Sequence, residues 1–269
     1  MSINLEDADI AELTILLSPD RLAALTKLTG SARSAIELHQ QTLNLGACLM
    51  NVIASLELAL RNKVCENLTA FFGSPGWLTH PPAPFQWRAI ENANAQKALE
   101  SARRASYSKL GQVEKGALDA KAFPNGIPAN TSHLRRAVLR RRQIVVTDGQ
   151  VVAETTFYFW KRLFSADYEH GLWRPTLKRT FPNKHLKRPQ VADRLEHIYQ
   201  ARNRLAHHEP LLHKRFTDTI AAVEFVSRNM GVASESPDTA LAKLIAADLQ
   251  TVKDRATKLH TTLDSFRRS

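Results

Sequence analysis

The chain has 269 residues, long enough for one large domain or two small ones with a real core. Its 43% hydrophobic and 23% charged residues exclude a disordered or collagen-like chain. A net charge of +11 points to a polyanionic partner or, more blandly, to a well-solvated surface. The surplus is local: residues 101–188 hold 18 Lys+Arg against 6 Asp+Glu, which leaves the remainder near neutral.

The opening segment, MSINLEDADIAELTILLSPD, is acidic where a secretory leader is basic, and its apolar run is short and interrupted. No stretch reaches the roughly 18 uninterrupted apolar residues of a membrane span, so the expected location is the cytoplasm. A leucine-rich stretch at 20–30 precedes a long helical pattern from Ser34 to Phe72, which carries Cys48 and Cys65. These cysteines form no CxxC pair and are expected as buried thiols rather than a disulfide or metal site. GSPGWLTHPPAPFQW breaks the helix. A polar helix follows over 87–110, then a long surface loop, KGALDAKAFPNGIPANTSH, leading to the basic LRRAVLRRRQ. QIVVTDGQVVAETT carries β-branched runs on either side of Asp148-Gly149, a pair suited to a type I′ turn, and predicts a small hairpin near 143–154.

The aromatic helix TTFYFWKRLF comes next, with Phe157, Tyr158, Phe159 and Trp160 expected mainly in the core. A helix from Val191 to about His208, another from Arg215 to Asn229, a GVASESPD linker and an amphipathic helix from Asp238 to Phe266 complete the chain. The pattern predicts an all-α helical bundle with a small β-hairpin insertion. Residues 1–232 form its main domain, and 233–269 a linker and C-terminal helix on the same body.

ARNRLAHHEP, residues 201–210, crowds ionisable groups into the end of one helix. At about 100° per residue, Leu195, Ile198, Tyr199, Leu205 and Ala206 all fall within about 60° of Arg202, which therefore projects from an apolar stripe. A guanidinium there needs a partner, because it cannot shed its proton. Glu57 is a second charge within an apolar stripe, flanked by Ile53, Leu60, Val64 and Leu68, with Arg61 one turn on. Two interior charges of opposite sign on two helices predict that Glu57 lies within reach of Arg202. Asn203 and His207 sit about 100° and 140° around, at the rim of the buried stripe.

RNRLAHHE resembles the R-x4-6-H signature of the HEPN superfamily, in the Arg-Asn-x-x-Ala-His-His form of the Abi-like (abortive infection) proteins. LELALRNKV and FYFWKRLFSADYEHGLW with its following TFPN are similar to Abi-like sequence in kind and order. The likeness covers roughly residues 34–230. The long loop at 111–132 and the tail after Gly231 depart from it.

The resemblance implies an all-helical HEPN domain, dimeric, that cuts RNA without a metal or other cofactor and leaves a 2′,3′-cyclic phosphate. By position in the motif, Arg202, Asn203, His207 and His208 are its catalytic candidates, with Glu57 and Arg61 in support. The residue types suit the chemistry, because RNA supplies its own nucleophile and needs a proton-transfer group and a cation for the crowded phosphorane. Arg135, Arg136, Arg140, Arg141, Arg142, Lys178, Arg179, Lys187 and Arg188 are candidates for tracking the RNA backbone. Partners expected from this reading are RNA, a second copy of the chain, and an antitoxin or accessory protein. The function class is phage defence or a growth-arresting toxin, and the alternative is a non-catalytic HEPN-like module that binds nucleic acid or a regulatory partner. Pro210 interrupts HEPLLH, which lacks the spacing of a zinc-binding helix, and His170, His185 and His213 are expected on surfaces or loops.

Overall fold

The computed structural model describes residues 5–268. Among them every regular element is helical: α1 (Asp7–Leu16), α2 (Pro19–Thr29), α3 (Ala32–Phe72), α4 (Ala89–Ser108), α5 (Gln112–Ala122), α6 (His133–Arg142), α7 (Asp148–Ala153), α8 (Phe157–Arg162), α9 (Arg188–Ala206), α10 (His213–Asn229) and α11 (Ala240–Arg268), with short 3-10 and π turns at Ala166–Tyr168, Glu169–Trp173 and Leu177–Thr180. The all-α class read from the sequence is present.

The hairpin expected near 143–154 is not. Residues 144–147 are irregular and α7 follows them. The Thr147 hydroxyl accepts the Gln150 N–H, while the Gln150 side-chain oxygen accepts the Thr147 N–H at 2.8 Å. This reciprocal cap starts a helix at Asp148-Gly149 instead of a turn. The Asp148 carboxylate is meanwhile occupied by the N–H of Gly76 at 2.7 Å. Part of the expected loop at 115–133 is also helical, as the second half of α5.

Two compact units emerge, with the boundary inside α3: residues 1–62 with 179–269, and residues 63–178. In the first, α9 packs along α10, α10 on α11, α11 on α2 and α2 on α1. Leu45, Leu49, Val52, Ile53, Leu56 and Leu60 recur at spacings of three and four on α3 and are all buried. By length and composition α3 is apolar enough to cross a membrane; in the unit, that stripe forms core. Leu249, Val252, Ala256, Leu259 and Leu263 give α11 its buried face. Lys253 Nζ reaches Glu224 on α10 at 2.7 Å.

In the second unit, α4 packs against α6, α7 and α8, and α5 pairs with α6. Phe157, Phe159, Trp160, Trp87 and Trp173 are buried, while Tyr158 is half-buried. Trp87 meets Phe85 and Phe159 edge-on at 4.9 and 5.6 Å between ring centres. Glu91, wholly buried, accepts from Arg162 Nε at 2.9 Å and from the Tyr168 hydroxyl at 2.8 Å. Cys48 and Cys65 form no disulfide and are half-buried, a step short of the burial expected for them.

Candidate functional site

The motif sits at the end of α9, which begins with Pro189 in its first turn and with the Lys187 N–H donated to the Gln190 side chain at 2.8 Å. Val191, Leu195, Ile198, Ala201 and Leu205 bury one side of the helix. Arg202 lies half-buried beside them, and Asn203 and Arg204 are half-buried too. From Ala206 onward the helix emerges, and His207 and His208 are exposed.

The charge pair foreseen across two helices is close enough to act. Burial pushes the half-buried Glu57 carboxyl up, while the positive charges of Arg202 and Arg61 pull it down, in that order of size. Arg61 Nε is buried without a hydrogen-bond partner, so this guanidinium also relies on surrounding charge. Half-buried residues of α3 and α9 thus place one carboxylate within the electrostatic influence of two guanidiniums.

The stop of α9 is a Schellman turn built on an unusual residue. The His208 N–H donates to the Leu205 carbonyl at 3.0 Å, and the Glu209 N–H to the Arg204 carbonyl at 2.9 Å. The first residue beyond the cap stands in the left-handed region, where glycine is the rule, yet it is His208, with φ 56°. An ion pair closes the turn from outside: Arg204 Nη2 lies 3.0 Å from Glu209 Oε2. Pro210 prevents continuation.

Two clefts flank this turn. The larger, about 490 Å³, lies between α3 and the turn; Leu43, Ala47, Met50, Leu205, Ala206 and His208 give it mostly apolar walls, and Glu209 contributes a carboxylate. Its tight point is Gly46, where an added Cβ would come within 3.1 Å of Leu205 Cδ2. The smaller, about 290 Å³, lies between α9 and α10 and is polar, with Arg204, Arg215 and His197 on its walls. Of the four motif candidates, His208 lines the larger cleft, while Arg202, Asn203 and His207 are among the wall residues of neither. A single chain lets the charge of Arg202 act on Glu57 and presents His207 at the helix end, and neither of these two clefts is walled by Arg202 or His207.

The basic candidates divide by what already holds them. Arg136 and Arg140 both hydrogen-bond the Asp119 carboxylate, and Arg140 Nη1 also reaches the Tyr107 hydroxyl at 3.4 Å. Those hydrogen bonds hold the Asp119 carboxyl well below the ordinary carboxylate range. Arg136 and Arg140 therefore brace α5 against α6. Arg135 and Arg142 are exposed on α6, and Arg141 is half-buried. Lys178 lies over the Trp173 ring at 5.3 Å, and its ammonium is pushed down by burial. Arg179 and Lys187 are exposed, and Arg188 is half-buried at the start of α9.

His213 stacks on His260 with ring centres 5.1 Å apart, and its N–H donates to His260 Nε2 at 3.2 Å. Sequence reasoning missed the Arg204–Glu209 closure and the Arg215 cleft. The five-residue spacing of Arg204 and Glu209 around a helix stop was the available signal. Comparisons with protein-family models, curated proteins and solved structures find no match to the chain.

Proposed function

We propose that the chain is a metal-independent endoribonuclease of the HEPN type, acting in the cytoplasm as a homodimer, in phage defence or as a growth-arresting toxin. The observation that carries the reading is the half-buried Arg202 set against Glu57, at the helix end that also presents His207. A permanently charged guanidinium with fixed surroundings suits a phosphorane, whose extra negative charge develops only during reaction.

In the proposed reaction an imidazole takes the proton of the RNA 2′-OH, and the 2′-oxygen forms a bond to the adjacent phosphorus. The bond to the 5′-oxygen breaks, and that oxygen receives a proton from a protonated imidazole. The products are a 2′,3′-cyclic phosphate and a 5′-hydroxyl. His207 supplies proton transfer, Arg202 holds the phosphoryl oxygens, Asn203 orients the ring or donates to a phosphate oxygen, and Glu57 positions Arg202. A twofold pairing of α9 ends would double these groups, and the apolar wall of the larger cleft, Leu43, Ala47 and Met50, suits cover by a second copy.

The test incubates purified protein with labelled total RNA in EDTA. Wild type is expected to cut, and His207→Ala to cut about 10²-fold or more slowly. Cutting abolished by the chelator would assign the reaction to a metal, and equal cutting by the variant would remove His207 from it. RNA bound but left intact would favour the non-catalytic binding module.

A further inference from the structure

The polar cleft between α9 and α10 plays no part in the reaction above. Its walls include His197, Gln200 and Arg204 from α9 and Arg215, Asp218 and Thr219 from α10, around about 290 Å³. Two guanidiniums stand against one carboxylate, so the lining is net cationic before His197 is counted. Arg204 and Arg215 enter this small space from two different helices. The Thr219 hydroxyl donates to the Arg215 carbonyl at 2.7 Å, which leaves its oxygen free to accept rather than donate. His197 Nδ1 lies 2.8 Å from the Asp193 carbonyl, so Nδ1 carries the proton and donates there.

Arg204 is already in contact with an anion from its own chain, the Glu209 carboxylate at 3.0 Å, while its Nε is buried without a partner. Glu209 also lines the larger cleft on the other side of the turn. One side chain therefore belongs to one cleft and closes on a wall residue of the other.

We infer that the α9–α10 cleft binds a phosphate group, held by Arg204 and Arg215, in competition with Glu209. A dianionic phosphate gives two arginines more charge and more acceptor oxygens than one half-exposed carboxylate. When it binds, Glu209 leaves Arg204, and the Schellman turn carrying His207 and His208 loses its outer closure. Occupancy of the small cleft is thereby linked to the shape of the large one. The binding claim stands apart from the ribonuclease reading, because it needs no RNA cleavage.

Calorimetric titration of the full chain with inorganic phosphate, with adenosine monophosphate and with a short single-stranded RNA tests it. Saturable binding of one phosphate group per chain is expected, weakened about tenfold or more in Arg204→Gln and in Arg215→Gln. Glu209→Gln, which removes the competitor, is expected to bind more tightly, and Asp218→Asn likewise. Lys97→Gln, on the surface of α4, serves as the control and is expected to bind as wild type. Inorganic phosphate and the mononucleotide binding alike would assign a free phosphate ligand, whereas RNA alone showing the arginine dependence would assign a backbone phosphate. Equal binding by the Arg204→Gln/Arg215→Gln double variant, an unchanged Glu209→Gln, or no saturable binding in any arm would overturn the proposal. Arg215 is exposed, so its variant tests the site even if Arg204→Gln unfolds the turn.

Discussion

Glu57 carries its charge into a half-buried position, and the balance between burial and the attraction of nearby arginines has a measurable sign. Burial raises the Glu57 carboxyl more than the two arginines lower it. An acid raised in the folded state costs nothing while protonated, and its cost grows as pH climbs through its folded value. Glu57→Gln is therefore expected to raise the thermal midpoint at neutral pH, with the gain fading toward about pH 4. A lowered midpoint at neutral pH would mean that the arginines' attraction outweighs the burial. His208 gives a second residue-scale expectation. Its left-handed backbone costs about 1 kcal/mol that glycine would not incur, so His208→Gly should unfold at the same or a higher denaturant concentration. A clearly lower midpoint would show that the imidazole itself holds the turn. The electrostatic link of Arg202 to Glu57 was legible because a charge inside an apolar stripe stands out on a wheel. The turn was not, because its key position lacks the glycine that announces such a stop.

At the scale of elements, capping decided where propensity misled. Val145, Val146, Val151 and Val152 argue for strands, yet the reciprocal Thr147–Gln150 cap turns the segment into α7. The hydrogen bonds that matter lie three residues apart, and a period-two pattern does not register them. The helix in the 115–133 region went unread for a related reason: its hold is the remote Asp119 bridge to Arg136 and Arg140. In the second unit, α4 is tied to the segment after α7 through Glu91, Arg162 and Tyr168. Glu91→Ala would leave the partly buried Arg162 with Asp167 alone and the buried Tyr168 hydroxyl without its acceptor. Its expected cost is about 3 kcal/mol, read as a shift in the urea midpoint. A loss under about 1 kcal/mol would show that the network contributes little.

For the molecule as a whole, charge is divided unevenly, though less sharply between the units than along the sequence. Residues 63–178 carry 17 Lys+Arg against 9 Asp+Glu, so this unit holds most of the +11. Composition located that surplus well, but could not separate arginines free to meet a phosphate from those, like Arg140, committed to an internal carboxylate. The helical class and the motif helix were legible from apolar spacing alone. The clefts beside that helix were not, since they depend on how α3 and α10 flank it.

If Arg202 and His207 serve an attack by RNA's own 2′-oxygen, one paired substrate distinguishes that reaction from every other cut. An RNA strand with a mapped cleavage position is compared with the same strand carrying a single 2′-deoxynucleotide there, and the product ends are identified. The expected result is a 2′,3′-cyclic phosphate from the first strand and an intact second strand. Cleavage of the deoxy position, or a 3′-hydroxyl end from the first strand, would contradict it.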